Sequence, residues 1–238
     1  MIRSPLYRAL FICPLIVAAC QVACAHNLFV LLEPQSDGPD TVNVIFEHGP
    51  SPGKGNYNQP LVDRGQTWLR LPDEKEAAAL ELNEITQGNK KFLQAETASP
   101  RPKEIVHTCT CGVYQGRLDH LYGKYLDVSL AEEAAQLARE PKLPLDIAPS
   151  ATSDALTITV YFEDQPLVNA RVSIWSHNGK EWIQTTDSQG QTTLKKLRAG
   201  VYSFAVAHKL RNPRGEFQGT SYQGVMHATT CSLRWPWN

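Results

Sequence analysis

His26 directly follows Ala23-Cys24-Ala25, a small-residue triplet of the kind that signal peptidases cut. If the chain is cut there, His26 gains a free α-amine beside its own imidazole. That amine has a reference pKa of about 7.7 to 8.0, so it loses its proton far more readily than a backbone amide does. Amine and imidazole can then close a chelate ring on one metal ion. Nitrogen donors favour copper, nickel, cobalt or zinc over magnesium or calcium. We therefore expect His26 to bind a divalent transition metal, with nickel, cobalt and copper as the candidates.

His48 is the best local partner for this chelate. It ends the stretch TVNVIFEH, where a strand opens into a loop, a common place for functional residues. Residues 26–34 and 41–48 both have the composition of short strands around the turn QSDGPD. If they pair as an antiparallel hairpin, the end of the second strand lies beside the start of the first. The pattern thus predicts that His48 lies near His26, although a solvated loop histidine is the alternative.

A second candidate cluster is the run HTCTC, which holds His107, Cys109 and Cys111. Alternate residues of a strand share a face, so the three side chains can converge on a metal. Thiolates favour copper(I), zinc or iron–sulfur chemistry. The competing interpretation is a disulfide between Cys231 and one of the other two cysteines. A bridge from Cys109 to Cys111 is disfavoured, because residues i and i+2 of a regular strand lie about 6.5 to 7 Å apart.

Three further histidines are candidate ligands, namely His120, His208 and His227. His120 precedes a predicted strand, His208 ends another, and His227 lies in the stretch GVMHATT. Each alone is also compatible with an ordinary structural histidine. His177 precedes Asn-Gly, a hairpin-turn pair, and is interpreted as a surface residue.

The first 25 residues have the features of a signal peptide. Arg3 and Arg8 precede an apolar run that is too short to span a membrane, which needs about 20 apolar residues. We expect an exported, periplasmic protein. The stretch Val17–Cys20 also resembles a lipoprotein cleavage box, so lipid anchoring through Cys20 is the alternative, and it would leave His26 without a free amine.

Composition excludes several classes of function. The formal net charge is −1, whereas a nucleic-acid binder needs a basic face. The sequence contains no nucleophile elbow, no zinc-protease motif and no phosphate-binding glycine loop. We therefore expect a protein that is not an enzyme. Trp175 and Trp182 flank one predicted hairpin and could bind sugar, but core packing is the favoured interpretation.

The strand pattern predicts an all-β protein of two β-sandwich-like domains. Residues 1–25 form the signal peptide, residues 26–148 a β-rich domain with short helical insertions, and residues 149–238 a second sandwich with turns every eight to twelve residues. A helix is expected over residues 73–85, and residues 130–141 are either helical or irregular. Residues 51–60 are expected to form a loop.

Two stretches resemble known families. The segment VYFEDQPLVNARVSIW, with TTDSQGQTT and AGVYSFAVAH, is similar to transthyretin-like and carboxypeptidase-regulatory β-sandwich modules, which implies an Ig- or transthyretin-like fold for the second domain. With AHNLFVLLEP and the tail GVMHATTCSL, the chain resembles a family of exported proteins described as the periplasmic component of cobalt or nickel uptake. That resemblance implies divalent metal handling, a mature chain that begins with histidine, and a membrane metal transporter as partner.

The sequence thus favours a periplasmic metal-binding protein that supports uptake or delivery. The alternative is a non-catalytic envelope interaction module or carbohydrate-binding module without metal. A copper enzyme with a histidine brace would also need an open coordination position and a flat substrate face, for which the sequence gives no sign.

Overall fold

The protein is described by a computed structural model over residues 26–97, 100–127, 133, 137–139, 142–152 and 154–237. The predicted signal peptide, with Cys20, lies outside these residues, as does most of the stretch 130–141. Within the described part of the chain, no helix has the length and apolar character needed to cross a membrane.

The described residues form almost entirely β-strands, as the alternating apolar pattern predicts. In chain order the elements are β1 (Asn27–Glu33), β2 (Asp40–Glu47), α1 (Gln59–Arg64), β3 (Gln66–Arg70), β4 (Ala78–Ala79), β5 (Asn83–Gln87), β6 (Lys90–Thr97), β7 (Glu104–Tyr114), β8 (Arg117–Leu126), β9 (Leu145–Ala151), β10 (Ala155–Phe162), β11 (Gln165–Pro166), β12 (Arg171–Ser176), β13 (Glu181–Thr185), β14 (Gln191–Lys195), β15 (Gly200–Phe217) and β16 (Thr220–Trp235).

The strands form three sheets. The largest has eight strands in the order β13-β12-β15-β16-β8-β7-β3-β4, and a four-stranded sheet has the order β1-β2-β6-β5. The third sheet has the order β11-β10-β14, with β9 also paired to β10. Within the large sheet, β16 runs parallel to β8 while β15 and β16 form an antiparallel pair. This parallel contact joins the last strand of the chain to a strand from its middle in one sheet.

The large sheet is buried on both faces. Successive residues of β8 point to opposite faces of the sheet, and both sets pack in a core. Leu121 and Tyr125 pack in a core with β1 and β2, on the side of the four-stranded sheet. Tyr122 and Leu126 pack in a second core with β9, β10 and β12. Two sandwiches therefore share the large sheet as a common layer, and the all-β, β-sandwich prediction is confirmed.

The predicted boundary between residues 148 and 149 falls inside β9. Strands from both sides of it are neighbours in the large sheet, because β8 pairs with β16. The two predicted units are thus joined by continuous backbone hydrogen bonding as well as by the chain between them.

The helix expected over residues 73–85 is wrong. The structure has β4 and β5 there, with Ile85 of β5 opposite Phe92 of β6. Ile85 packs against the small core that contains Phe92. Pairing with β6 and burial of this one apolar side chain thus outweigh the helix propensity of an alanine- and glutamate-rich stretch.

The helix α1 begins at the end of the predicted loop 51–60. Pro60 stands in its first turn, where the missing N–H costs nothing because no helical partner exists for it. Leu61 is its buried residue and packs in the core beneath β7. Gly65 ends the helix and donates its N–H to the Leu61 carbonyl at 2.9 Å.

Candidate metal centres

The hairpin β1–β2 brings His26 and His48 together. Its register pairs Asn27 with Glu47, so the residues just beyond these two lie opposite each other at the open end of the hairpin. The ring centroids of His26 and His48 are 4.4 Å apart. The predicted antiparallel pairing is therefore confirmed, and it places two imidazoles side by side.

Three other side chains surround His26. Glu47 Oε2 lies 4.0 Å from His26 Nε2. The rings of Phe46 and Tyr57 have centroids 5.5 Å and 4.8 Å from the His26 ring. Tyr57 reaches this position because its loop folds back toward β6, where Gly53 forms a β-bridge with Lys91. Sequence reasoning missed Glu47 and Tyr57, although Glu47 stands next to His48 in the sequence.

Gly53 leaves room for the Glu47 carboxylate. A Cβ built at this glycine would lie 2.0 Å from Glu47 Oε1. Any larger residue at position 53 must therefore displace the carboxylate that faces His26.

The pKa of His26 is lowered from its ordinary value of 6.5. Burial is the largest cause, the neighbouring His48 acts in the same direction, and Glu47 opposes them. The imidazole of His26 is therefore more readily available as a neutral nitrogen donor near neutral pH, the form that binds metal.

A second histidine group runs across three adjacent strands of the large sheet. His208 of β15 pairs with His227 of β16, and His227 pairs with His120 of β8. The rings of His120 and His227 stack with centroids 5.1 Å apart and an interplanar angle of 17°. Phe162 covers the row, with its ring 4.4 Å from that of His208 and 5.4 Å from that of His227.

Hydroxyl groups engage two rings of this histidine row. Thr110 Oγ1 is 3.0 Å from His120 Nδ1, and Tyr122 Oη is 2.9 Å from His227 Nδ1. Burial lowers the pKa of His227 to about 4, with smaller contributions from His120 and His208. His120 and His227 thus form a stacked, hydrogen-bonded pair on the sheet face, and His208 lies next to His227 against Phe162.

His107 is buried, with only 1 % of its surface exposed. Its Nδ1 lies 2.8 Å from Thr67 Oγ1, and its Nε2 has no hydrogen-bond partner. Burial alone lowers the pKa of this imidazole to about 4. His107 lines a cavity of about 410 Å³ between α1 and β3, together with Leu61 and Gly65.

The two cysteines of HTCTC contact each other rather than His107 in the described structure. Cys109 and Cys111 have their sulfur atoms 3.3 Å apart. Cys231 packs in the core on the opposite side of the large sheet from Cys109. All three are free thiols. The alternative of a bridge between Cys231 and Cys109 does not fit this arrangement, because the sheet separates the two side chains.

The predicted ligands thus fall into three separate groups rather than one. The described ranges contain no set of three or more His, Cys, Asp or Glu side chains arranged to hold a metal ion. A chelate formed by one terminal residue and one partner needs only two residues. His26 and His48 are two predicted ligands whose rings lie side by side.

Three of the four tryptophans in the C-terminal half of the chain are buried. Trp175 packs edge-on against Phe29 with ring centroids 5.2 Å apart, and Trp182 packs against the second core. Trp235 and Trp237 are also buried, with 5 % and 6 % of their surfaces exposed. These side chains therefore form no exposed aromatic row, and core packing explains them.

Among known proteins, only solved structures show a similarity to this chain. No family model matches the chain, and no curated protein does either. A two-domain fibronectin type III segment of chicken tenascin matches with 15 % identity, over 85 % of this chain and 97 % of that chain, with a TM-score of 0.22. So low a TM-score carries no functional argument. The fold and the hairpin site together define an all-β sandwich protein with paired histidines at the start of its first strand.

Proposed function

We propose that the protein binds a divalent transition metal at the open end of the β1–β2 hairpin. The observation that carries the proposal is the 4.4 Å separation of the His26 and His48 rings. Two imidazoles so close together are an unfavourable arrangement once both are protonated, whereas one cation between them uses both as donors.

The donor set is completed by the terminus itself. With the chain cut before His26, the α-amine and Nδ1 of His26 chelate the ion, and an imidazole nitrogen of His48 adds a third nitrogen. Chelation through Nδ1 leaves Nε2–H of His26 directed away from the metal. Three nitrogen donors of this kind suit nickel, cobalt or copper.

Glu47 supports this assignment of nitrogen atoms. Its Oε2 lies 4.0 Å from His26 Nε2, so a small adjustment allows the carboxylate to accept the Nε2–H. A carboxylate in this position fixes the tautomer and orientation of a ligating histidine and increases its basicity. Glu47 is therefore assigned a positioning role next to the chelate.

The biological role follows from the resemblance of the chain to exported cobalt- and nickel-uptake components. In this role the protein binds the ion in the periplasm and delivers it to a membrane metal transporter. A site at a chain terminus suits such a transfer, because His48 is exposed and an acceptor can reach the ion from the solvent side.

The test is a metal titration of the exported protein, purified without a histidine tag after N-terminal sequencing. Calorimetric titration with Ni²⁺, Co²⁺ and Cu²⁺ is expected to give one tight site in the wild type. His26→Ala and His48→Ala are expected to weaken it by at least about 100-fold, since each removes one imidazole donor while the terminal amine remains. His177→Ala is the matched control, because His177 is exposed and lies outside both histidine groups.

A form that retains Ala25 before His26, with the Ala25 amine acetylated, separates the chelate from imidazole binding alone. It keeps both rings and loses only the free amine, so it is expected to bind more weakly than the cut form. Equal affinity in the wild type and in His26→Ala would refute the proposed site. A mature terminus at a lipid-modified Cys20 would refute the chelate.

A further inference from the structure

The two cysteines of β7 have their sulfur atoms close together. Side chains at i and i+2 of a strand are separated by about 6.5 to 7 Å along the chain. The sulfur atoms of Cys109 and Cys111 are 3.3 Å apart. Such a close approach requires the two side chains to incline toward each other, which a bend of the strand between them favours.

A β-bulge at Cys111 provides this bend. The register between β7 and β8 pairs Thr110 with His120 and Gly112 with Asp119, so Cys111 is an extra residue without a partner on β8. Gly112 has φ of 111°, a backbone conformation that L-residues rarely adopt. A bulge of this kind re-aims side chains and commonly marks a functional position.

Hydrogen bonds hold both thiols in place. The Cys111 thiol donates to Cys109 Sγ, and the Cys109 thiol lies 3.3 Å from the Pro60 carbonyl of α1. Arg64, at the other end of α1, donates to the carbonyls of Thr110 and Cys111 at 2.9 Å and 2.5 Å. The helix therefore clamps the bulge at two points.

The surroundings favour a thiolate on one member of the pair. The hydrogen bond from Cys111 and the charge of Arg64 lower the pKa of Cys109 despite its burial. The thiolate is the nucleophile of thiol–disulfide exchange. Both the geometry and the electrostatics thus suit a reaction between the two sulfur atoms.

We propose that Cys109 and Cys111 are a redox pair that closes a disulfide across the β7 bulge. The oxidant is a small soluble disulfide, which supplies the bond that breaks. One cysteine attacks it, forms a mixed disulfide and releases the first thiol. The second cysteine then attacks the mixed disulfide and releases the second thiol, so one disulfide is reduced for each one formed.

Exposure determines the order of these steps. Cys111 is half-buried and can meet the oxidant, whereas Cys109 is 3 % exposed and cannot. Cys111 therefore attacks the oxidant as it passes its proton along the hydrogen bond to Cys109. Cys109 then loses that proton to the released thiolate and resolves the mixed disulfide from the protein side. Cys231 takes no part, because it is fully buried on the other side of the sheet.

Peptide mapping of the full exported chain tests the proposal. The protein is equilibrated with mixtures of reduced and oxidised glutathione in the presence of a chelator, then denatured, alkylated and digested with trypsin. Cleavage after Lys103 and Arg117 gives one peptide, Glu104–Arg117, that contains both cysteines, while Cys231 falls in the separate peptide Gly215–Arg234. The chelator ensures that a bound metal does not mimic protection from alkylation.

Under oxidising conditions the Glu104–Arg117 peptide is expected to become two hydrogens lighter and to escape alkylation. Cys231 is expected to remain fully alkylated. In Cys111→Ser the loss of two hydrogens disappears and Cys109 resists the oxidant, whereas Cys231→Ala leaves the pair unchanged. If both cysteines of this peptide remain alkylated under the most oxidising mixture, or if the peptide is linked to Cys231 or to a second chain, the proposal is overturned.

Discussion

Lys124 Nζ lies 2.9 Å from Asp146 Oδ1, and both side chains are only 1 % exposed. This ion pair joins β8 of the large sheet to β9 of the sheet that packs against it. Lys124 also donates to the Ala138 carbonyl at 2.8 Å. Burial raises the pKa of Asp146, and the adjacent ammonium opposes that shift. The lysine therefore compensates a carboxylate that the core would otherwise disfavour.

Removing one partner of this pair should destabilise the protein strongly. We expect Lys124→Met to lower the free energy of unfolding by about 3–5 kcal/mol, because Asp146 is left buried without its counter-charge. Urea denaturation followed by tryptophan fluorescence measures the change.

The double variant Lys124→Met/Asp146→Leu is the control, because it removes both charges and leaves no unpaired carboxylate in the core. It should recover most of the stability, since an apolar replacement of a buried ion pair is often neutral or better. A double variant as unstable as Lys124→Met would show that packing, and not the unpaired carboxylate, causes the loss.

Acid should destabilise the protein through His107. The pKa of this buried imidazole is about 4 in the folded chain, against an ordinary value of 6.5. The unfolded chain thus binds the proton first. The stability contribution is fully present above pH 6.5 and decreases as the pH falls toward 4, by about 1.4 kcal/mol per pH unit.

Between pH 6.5 and pH 4.5 we expect His107 to account for a loss of about 2–3 kcal/mol in the free energy of unfolding. Urea denaturation at several pH values in wild type and His107→Gln measures it. The glutamine variant can still contact Thr67 but does not titrate, so its stability should depend less on pH. Parallel curves for the two proteins would contradict the role of His107.

Glu47 should affect metal affinity without being a ligand. We expect Glu47→Gln to weaken Ni²⁺ or Cu²⁺ binding by about 10- to 100-fold, the usual effect of losing an outer carboxylate behind a ligating histidine. Calorimetric titration measures it, with Glu33→Gln at the opposite end of β1 as the control.

Gly53→Ala tests the same contact from the other side. The added Cβ meets the Glu47 carboxylate and should displace it from His26. The affinity of Gly53→Ala should therefore fall toward that of Glu47→Gln, and the two substitutions together should cost little more than either alone. Fully additive losses would mean that Gly53 acts on the site by another route.

Local patterns in the sequence predicted the hairpin and its histidine pair. Alternation of apolar residues in 26–34 and 41–48, with a turn between them, determines antiparallel pairing, and the register then follows from the buried face. Such a contact involves residues close in the chain. The strands of the C-terminal half were predictable for the same reason, because regular turns separate them.

The histidine row and the bulge could not be predicted in this way. His120 and His227 become neighbours only through the parallel pairing of β8 with β16, which brings together residues more than 100 positions apart. The bulge depends on Gly112 and on the hydrogen bonds from Arg64 of α1, a helix that begins at the end of the predicted loop. The sequence pattern predicts a regular strand at this point, and the distance expected between Cys109 and Cys111 is therefore too long for a disulfide.

The pH dependence of metal binding should reveal whether the terminal amine is a ligand. A metal competes with protons for each donor, so affinity rises with pH until the donor is deprotonated. The amine has a reference pKa of about 7.7 to 8.0, whereas burial and His48 lower the pKa of His26 from 6.5. In the cut form, affinity should therefore keep rising up to about pH 8.

The form with an acetylated Ala25 has no free terminal amine, so its affinity should level off at a lower pH than that of the cut form, once the imidazoles are neutral. Titrations with Ni²⁺ between pH 5.5 and pH 8.5 compare the two forms in buffers that bind the metal weakly. The difference between the two curves isolates the contribution of the amine, because both forms share His26, His48 and Glu47. Two curves that level off at the same pH would mean that the imidazoles bind the ion without the terminus.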